Sequence, residues 1–261
     1  MIDGILSQKK LFVLDMDGTF FLGNRILDGS LDFIRKIRKS GKAFLFFTNN
    51  SSHTAAFYQQ KLAVMGCVVT DKDILTSGDV TIDYLRREYP GKRVFLLGTE
   101  LLRKSFLLGG IELVEQKPEI VVLSFDISFS YERVSKACSF IRCGVLFIAT
   151  HPDLNCPTED GFIPDCGAMC AMITASTGIK PIYLGKPYKE TLDAIIHVTG
   201  YSKDQIVFVG DRLYTDIAIG VNNGVTSVLV LSGETTAEDA AKSSMKPNYI
   251  FPTLRQLADV M

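Results

Sequence analysis

Short apolar runs alternate with stretches of helical period along nearly the whole chain. Leu11–Leu14, 43–47, Val94–Leu97, Ile120–Leu123, 145–149, 206–209 and 225–231 read as strands. Strands that are apolar on both faces need cover on both faces, as in a parallel sheet held between helix layers. Between the runs, Leu31, Ile34 and Ile37 in 30–40 recur at helical spacing, as do Leu192, Ile195 and Ile196 in 189–199. Residues 101–108 and 131–143 accommodate further helices. This alternation predicts a doubly wound α/β fold.

The chain has 261 residues, which at roughly 150 residues per domain is about 1.7 domains. No Pro/Gly/Ser-rich linker announces a boundary, so two domains would mean one inserted in the other through short hinges. Ser77-Gly78 and Ser176-Thr177-Gly178 are the hinge candidates, because glycine permits the backbone angles a hinge needs. Hydrophobic residues at 47% and charged residues at 22% exclude disorder and coiled coil. A balance of 28 basic to 29 acidic residues, net −1, excludes a globally basic nucleic-acid binder. Met1-Ile2-Asp3-Gly4-Ile5 begins no secretory signal, and no apolar run is long enough to span a membrane. A cytoplasmic location is expected. None of the six cysteines forms a C-x-x-C pair, and the spacing of Cys156, Cys166 and Cys170 fits no common zinc site. Free thiols in a reducing compartment are expected.

In parallel α/β sheets, ligands bind beyond the carboxyl ends of the strands. Asp15-Met16-Asp17-Gly18-Thr19 follows the first apolar run, and Thr48-Asn49-Asn50 follows the second. Gly210-Asp211 and Asp216 follow 206–209, and Lys186 precedes the helical stretch at 189. Each feature alone is ordinary: a solvated turn, a helix cap, a surface lysine. Their joint order at strand ends and helix starts is not. Carboxylates gathered at one sheet edge repel by about 4 kcal/mol per pair at 4 Å and an effective dielectric near 20. A divalent ion such as Mg²⁺ offsets that repulsion, taking one or two carboxylates with water and phosphate oxygens. Lys186 adds positive charge, while Thr48 and the backbone N–H groups around Asp15 to Gly18 add neutral donors. Such a site suits a phosphate. Asp15 is the candidate nucleophile toward phosphorus and Asp17 the candidate general acid and base.

These residues resemble the haloacid dehalogenase superfamily of phosphohydrolases. Asp15-Met16-Asp17-Gly18-Thr19 is similar to its first motif, Thr48 to the second, Lys186 to the third, and Gly210-Asp211 with Asp216 to the fourth. The resemblance implies a Rossmann-like core and Mg²⁺ bound by Asp15, Asp211 and the main-chain carbonyl of Asp17, with Asp216 supporting the metal site. It implies that Thr48 and Lys186 hold the transferring phosphoryl group, with Met16 and Asn49 as neighbouring phosphate contacts. The long insertion after Thr48 resembles the α/β cap of the NagD and p-nitrophenylphosphatase-like branch. Thr48-Asn49-Asn50-Ser51, Leu75-Thr76-Ser77-Gly78 and Tyr183-Leu184-Gly185-Lys186-Pro187 carry that likeness. The expected organisation is a core of 1–78 and 181–261 with a cap of 79–180. Caps in this branch often mediate homodimers, so a dimer through the cap is a further expectation.

The cap loop 151–168 is expected to choose the substrate, with His151 and Asp153 as candidate specificity residues. Here the chain departs from the branch, which commonly has Asn at the position of His151. The branch also has Pro-Gly-x-Gly where Pro164-Asp165-Cys166-Gly167 stands. His53 and His197 read as structural. Rival readings lack their motifs. No G-x-G-x-x-G follows a strand, no P-loop surrounds Lys186, and no G-x-S-x-G elbow occurs. Asp17 argues against a dehalogenase, since it suits an oxygen leaving group. The expected partner is a small phosphomonoester; the alternative is a non-catalytic phosphometabolite-binding protein on the same fold.

Overall fold

The computed structural model describes residues 4–158 and 161–261. Residues 1–3 of the N-terminal stretch and 159–160 of the 151–168 loop lie outside the described residues. The chain divides into two compact units. One comprises the residues through Thr48, Ala55–Leu75 and Lys186–Met261; the other comprises Asn49–Thr54 and Thr76–Gly185.

The first unit begins with β1 (Leu11–Leu14), a small hairpin of β2 (Phe21–Leu22) and β3 (Arg25–Ile26), then β4 (Ala43–Thr48) and β5 (Ile74–Thr76). The inserted unit carries β6 (Val94–Leu97), β7 (Ile120–Leu123), β8 (Leu146–Ala149), the hairpin β9 (Asn155–Thr158) and β10 (Gly161–Pro164), and β11 (Ile182–Tyr183). The chain then returns for β12 (Ile206–Gly210), β13 (Thr226–Val230) and β14 (Tyr249–Phe251).

Among the described residues, the first unit holds a six-stranded sheet in the order β14-β13-β12-β1-β4-β5. β1 pairs in parallel with both β4 and β12, setting Leu14 beside Phe46 and Val209. Every residue of β1 and β12 is buried, as strands covered on both faces must be. The helix Ser30–Lys39 buries Phe33, Ile34 and Ile37, and its charged residues lie opposite. The core gathers these with Phe12, Phe20, Phe46 and Leu257. Strand order reverses at β1, because the chain runs outward through β4 and β5 and returns on the other side through β12. That reversal is the topological switch point, where such sheets bind ligands.

The inserted unit holds its own parallel sheet, order β11-β8-β7-β6. Phe95, Val121, Phe147 and Ile173 are in its separate core. The architecture is therefore the doubly wound α/β parallel sheet that the alternation predicts, with the inserted α/β unit that the resemblance implies. Ser77 and Gly78 begin the helix Ser77–Glu88, directly after the division of the units at 75/76. A Cβ on Gly78 would lie 2.6 Å from Leu102 Cδ1, so close packing accounts for this glycine. Gly178 is the left-handed cap of the helix Cys166–Thr177. The units divide at 75/76 and 185/186, whereas the sequence boundary at 180/181 puts Ile182 and Tyr183 with the core. Their pairing with Ile148 and Ala149 places them in the inserted unit. The cysteines at 67, 138, 143, 156, 166 and 170 are free.

Candidate active site

Asp15 leaves the carboxyl end of β1, and Asp211 leaves the carboxyl end of the adjacent β12. The Asp15 N–H donates to Val209 O at 2.9 Å, extending the pairing by one residue. The loop then turns tightly: the Met16 carbonyl accepts from Phe20 and Phe21, and the Gly18 N–H donates to Phe21 O at 2.8 Å. Of the donors expected from Asp15 to Gly18, those of Asp15 and Gly18 are thus engaged in the fold. Those of Met16 and Asp17 remain the loop's backbone donors. Thr48 is buried at the end of β4, on the other side of β1.

Lys186 brings the acids together. Its Nζ donates to Asp15 Oδ1 and Asp216 Oδ1, each at 2.6 Å, and lies 5.2 Å from the centre of the Phe47 ring. Asp216 sits in a π-type turn, Leu213–Ile217, the irregularity that folds its carboxylate back toward the end of β12. The Arg212 N–H donates to Asp216 Oδ2 at 3.0 Å. Asp15, Asp211 and Asp216 each offer a carboxylate oxygen within 4.8 Å of the others.

Asp211 is held by Thr19 of the first motif and by Glu234, which the sequence reading did not single out. Thr19 Oγ1 donates to its Oδ1 and the Glu234 N–H to its Oδ2, both at 2.8 Å. Ser232 Oγ donates to Gly18 O at 2.9 Å, tying the same loop to the Asp15 turn. This approach requires two glycines. Gly18 has φ +85°, and a Cβ there would stand 2.4 Å from Asp211 Oδ2; one on Gly233 would stand 2.1 Å from the same atom. Thr19 and Gly18 were visible as part of the first motif. Glu234 lies 23 residues beyond Asp211 and carries no local signal of the contact.

Burial pushes the Asp15 carboxyl well above the usual range. The charge of Lys186 opposes that rise, while Asp216 and Asp211 add to it. Burial and the Asp216 charge bring Asp211 to about 6. Asp17 is also raised by burial, against the charges of Lys61 and Arg212. Asp15, Asp216 and Asp211 in turn hold Arg212 more firmly charged against the cost of its burial. Four carboxylates at 15, 17, 211 and 216 thus face cations at 61, 186 and 212. The acids still outnumber the cations, and an oxygen-only donor set is what a hard cation takes. The residues present fit such an ion.

The other candidate residues belong to the inserted unit. Asn49 Nδ2 lies 3.3 Å from both carboxylate oxygens of Asp153. His151 is fully buried. Its Nε2 meets Asp165 Oδ1 at 2.8 Å and its Nδ1 meets Thr150 Oγ1 at 2.9 Å. The two departures from the branch pattern, His151 and Asp165, therefore pair with each other. Among the described residues, no helix is long and apolar enough to cross a membrane.

A haloacid dehalogenase-like hydrolase model matches residues 12–112, and a HAD-hydrolase-like model matches 183–257. The acid sugar phosphatase of Staphylococcus aureus (strain MRSA252) is 32% identical over 252 residues, covering 96% of this chain and 97% of that protein. The structure of a 4-nitrophenylphosphatase from Thermotoga maritima superposes with a TM-score of 0.95 at 46% identity, covering 98% of each chain. A glycerol phosphate phosphatase from Mycobacterium tuberculosis, in complex with calcium, superposes at 0.90 with 30% identity, covering 98% of this chain and 78% of that one. The chain belongs to the haloacid dehalogenase-like hydrolase family and is an enzyme of its NagD and 4-nitrophenylphosphatase-like branch.

Proposed function

We propose that the protein is a Mg²⁺-dependent phosphatase of small phosphomonoesters that works through an aspartyl-phosphate. The observation that carries this reading is the position of Asp15. It stands at the switch point, bound by Lys186 and close to Asp211 and Asp216. An Asp15 carboxylate oxygen attacks phosphorus, and the bond from phosphorus to the ester oxygen breaks. Asp17, raised by burial, gives its proton to that departing oxygen. A water then attacks the phosphoryl group, Asp17 takes the water's proton, and inorganic phosphate leaves Asp15 free. Lys186, Thr48 and the Met16 and Asp17 N–H groups bind the phosphoryl oxygens, with Asn49 next to Thr48. Asp216 holds Lys186 in place.

Mg²⁺ would be held by the carboxylates of Asp15 and Asp211 and the carbonyl of Asp17, with Asp216 beside them. When bound, it supplies charge neutralisation for the phosphoryl oxygens. We assign substrate choice to the inserted unit, with Asp153 as its first candidate and His151 acting from behind the loop. The relatives' names point to phosphorylated sugars, sugar acids and polyols as substrates, with 4-nitrophenyl phosphate as a convenient assay ester.

The metal has a signature in stability. The Asp211 carboxyl is raised to about 6, so the folded state binds its proton more tightly than the unfolded chain does. Its contribution therefore favours folding at low pH and is lost as pH rises from about 4 through 6. Without metal, the acids at 15 and 211 should make the protein less stable at pH 7 than at pH 5.5. Adding Mg²⁺ should raise Tm more at pH 7 than at pH 5.5. An equal shift at both values counts against these ligands.

Asp17→Asn should remain able to phosphorylate Asp15 from 4-nitrophenyl phosphate, whose leaving group needs little protonation. It should lose roughly 10²–10⁴-fold with an alkyl phosphate, the range of general acid catalysis. Equal losses with both esters would remove Asp17 from the first step. A phosphate-release panel separates the enzyme from a non-catalytic binder: binding without release from any phosphomonoester would favour the binder.

A further inference from the structure

The inserted unit's sheet ends in a cluster of buried polar side chains, and the segment that directly follows Thr48 lies in it. The Phe125 N–H donates to Ser51 Oγ at 3.1 Å, and Ser51 Oγ is 3.0 Å from Thr150 Oγ1. Thr99 Oγ1 donates to Ser52 O at 3.1 Å, and Ser77 Oγ donates to Asn49 O. Residues 99, 125 and 150 follow β6, β7 and β8. The carboxyl edge of this second parallel sheet, where ligands usually sit, is thus filled by the chain's own residues 49–52.

His151 stands behind this arrangement with no exposed surface. A doubly protonated imidazole has two donors and no acceptor. Its Nε2–H then goes to Asp165, which also accepts the Cys166 N–H at 2.6 Å and caps the helix Cys166–Thr177. Its Nδ1–H goes to Thr150 Oγ1. The Thr150 hydroxyl, having accepted there, turns its own hydrogen to Ser51 Oγ at 3.0 Å; the alternative acceptor is Cys166 Sγ at 3.8 Å, which is weaker. A neutral imidazole that donates to Asp165 would present Nδ1 as an acceptor. The Thr150 hydroxyl would turn back to it, and the Thr150–Ser51 bond would reverse, with Ser51 as donor.

We propose that His151, held against Asp165, is a positioning residue that directs the Thr150–Ser51 hydrogen bonds and so fixes residues 49–52, which directly follow Thr48 in the chain. The inference rests on the proposed function for its meaning, since Thr48 and Asn49 matter there as phosphate contacts. The groups facing the imidazole are Asp165 and the neutral Cys166 thiol at the helix start, Asp153 on its own loop, Thr150, and Ser77 at 3.4 Å. Burial disfavours the charge on His151, but Asp165 outweighs it, and the imidazole is raised to about 9.

Two measurements on the full chain test this, neither needing turnover. The first is an NMR titration of the imidazoles, three in all, with the His151 signals assigned by their loss in His151→Gln. The account expects a midpoint near 9 for His151 in the wild type and a fall below the usual imidazole range in Asp165→Asn. A wild-type His151 already neutral at pH 8 would overturn it. The second is calorimetric binding of inorganic phosphate with Mg²⁺ at pH 8 to His151→Gln, Ser51→Ala and the double variant. Each single change should weaken phosphate about tenfold, within the range for coupling through packed networks. The double variant should be no weaker than the worse single, since both break one relay. Unchanged affinity or additive losses would overturn the inference. If the wild type binds phosphate but hydrolyses no ester, the enzyme reading fails while these two tests still decide the role of His151.

Discussion

Asp15→Asn should lose turnover by roughly 10⁴-fold or more, the scale seen when a covalent nucleophile is removed. The variant keeps size and shape. It also removes one of the crowded negative charges around Lys186, so its stability at pH 7 should equal or exceed that of the wild type. Loss of activity with an unchanged or raised Tm separates the chemical role from a structural one. Phosphate should still bind, because Lys186 and Thr48 remain. Turnover within tenfold of wild type would move the nucleophile elsewhere.

Lys186→Met should damage both stability and catalysis. The ammonium is buried between Asp15 and Asp216 at 2.6 Å from each. Removing one partner of a buried ionic cluster costs about 3–5 kcal/mol. Without Lys186 the Asp15 carboxyl loses the cation that opposes its raised pKa, so it takes up a proton more readily in the folded state. The deficit in Tm should therefore shrink as pH falls from 7 toward 5. Catalysis should fall by at least 10²–10³-fold, the scale for removing one preorganised group that stabilises developing charge. Arg should not restore it, because a planar guanidinium cannot place one nitrogen between two carboxylates as the ammonium does. A pH-independent Tm deficit would mean that Lys186 does not hold the Asp15 carboxyl.

The sheet of the first unit was legible because β1, β4 and β12 are almost wholly buried and, before Thr48, offer only apolar residues and glycine. Short or half-exposed elements were not. β14 is three residues with Ile250 exposed, and β11 is two residues paired far from their sequence neighbours. The acids at 15, 211 and 216 and the lysine at 186 were readable from their places at strand ends; Lys186 bonds Asp15 and Asp216, and Asp211 offers an oxygen within 4.8 Å of theirs. What surrounds them was not readable. The π-type turn around Asp216 has no local sequence mark. The close approach of Gly233 and Glu234 to Asp211, and the bond from Ser232 to Gly18, depend on β13 ending beside β12. His151 looked like a group on a substrate loop; its full burial against Asp165 follows from a pairing 14 residues apart that sequence spacing does not reveal.

Trapping the phosphoenzyme tests the central claim most directly. Asp17→Asn, mixed with 4-nitrophenyl phosphate and Mg²⁺ and quenched in acid, should carry one phosphoryl group. Peptide mass mapping should place it on Asp15. A phosphoryl group on any other residue, or steady turnover with water attacking phosphorus directly and no covalent species, would contradict the account.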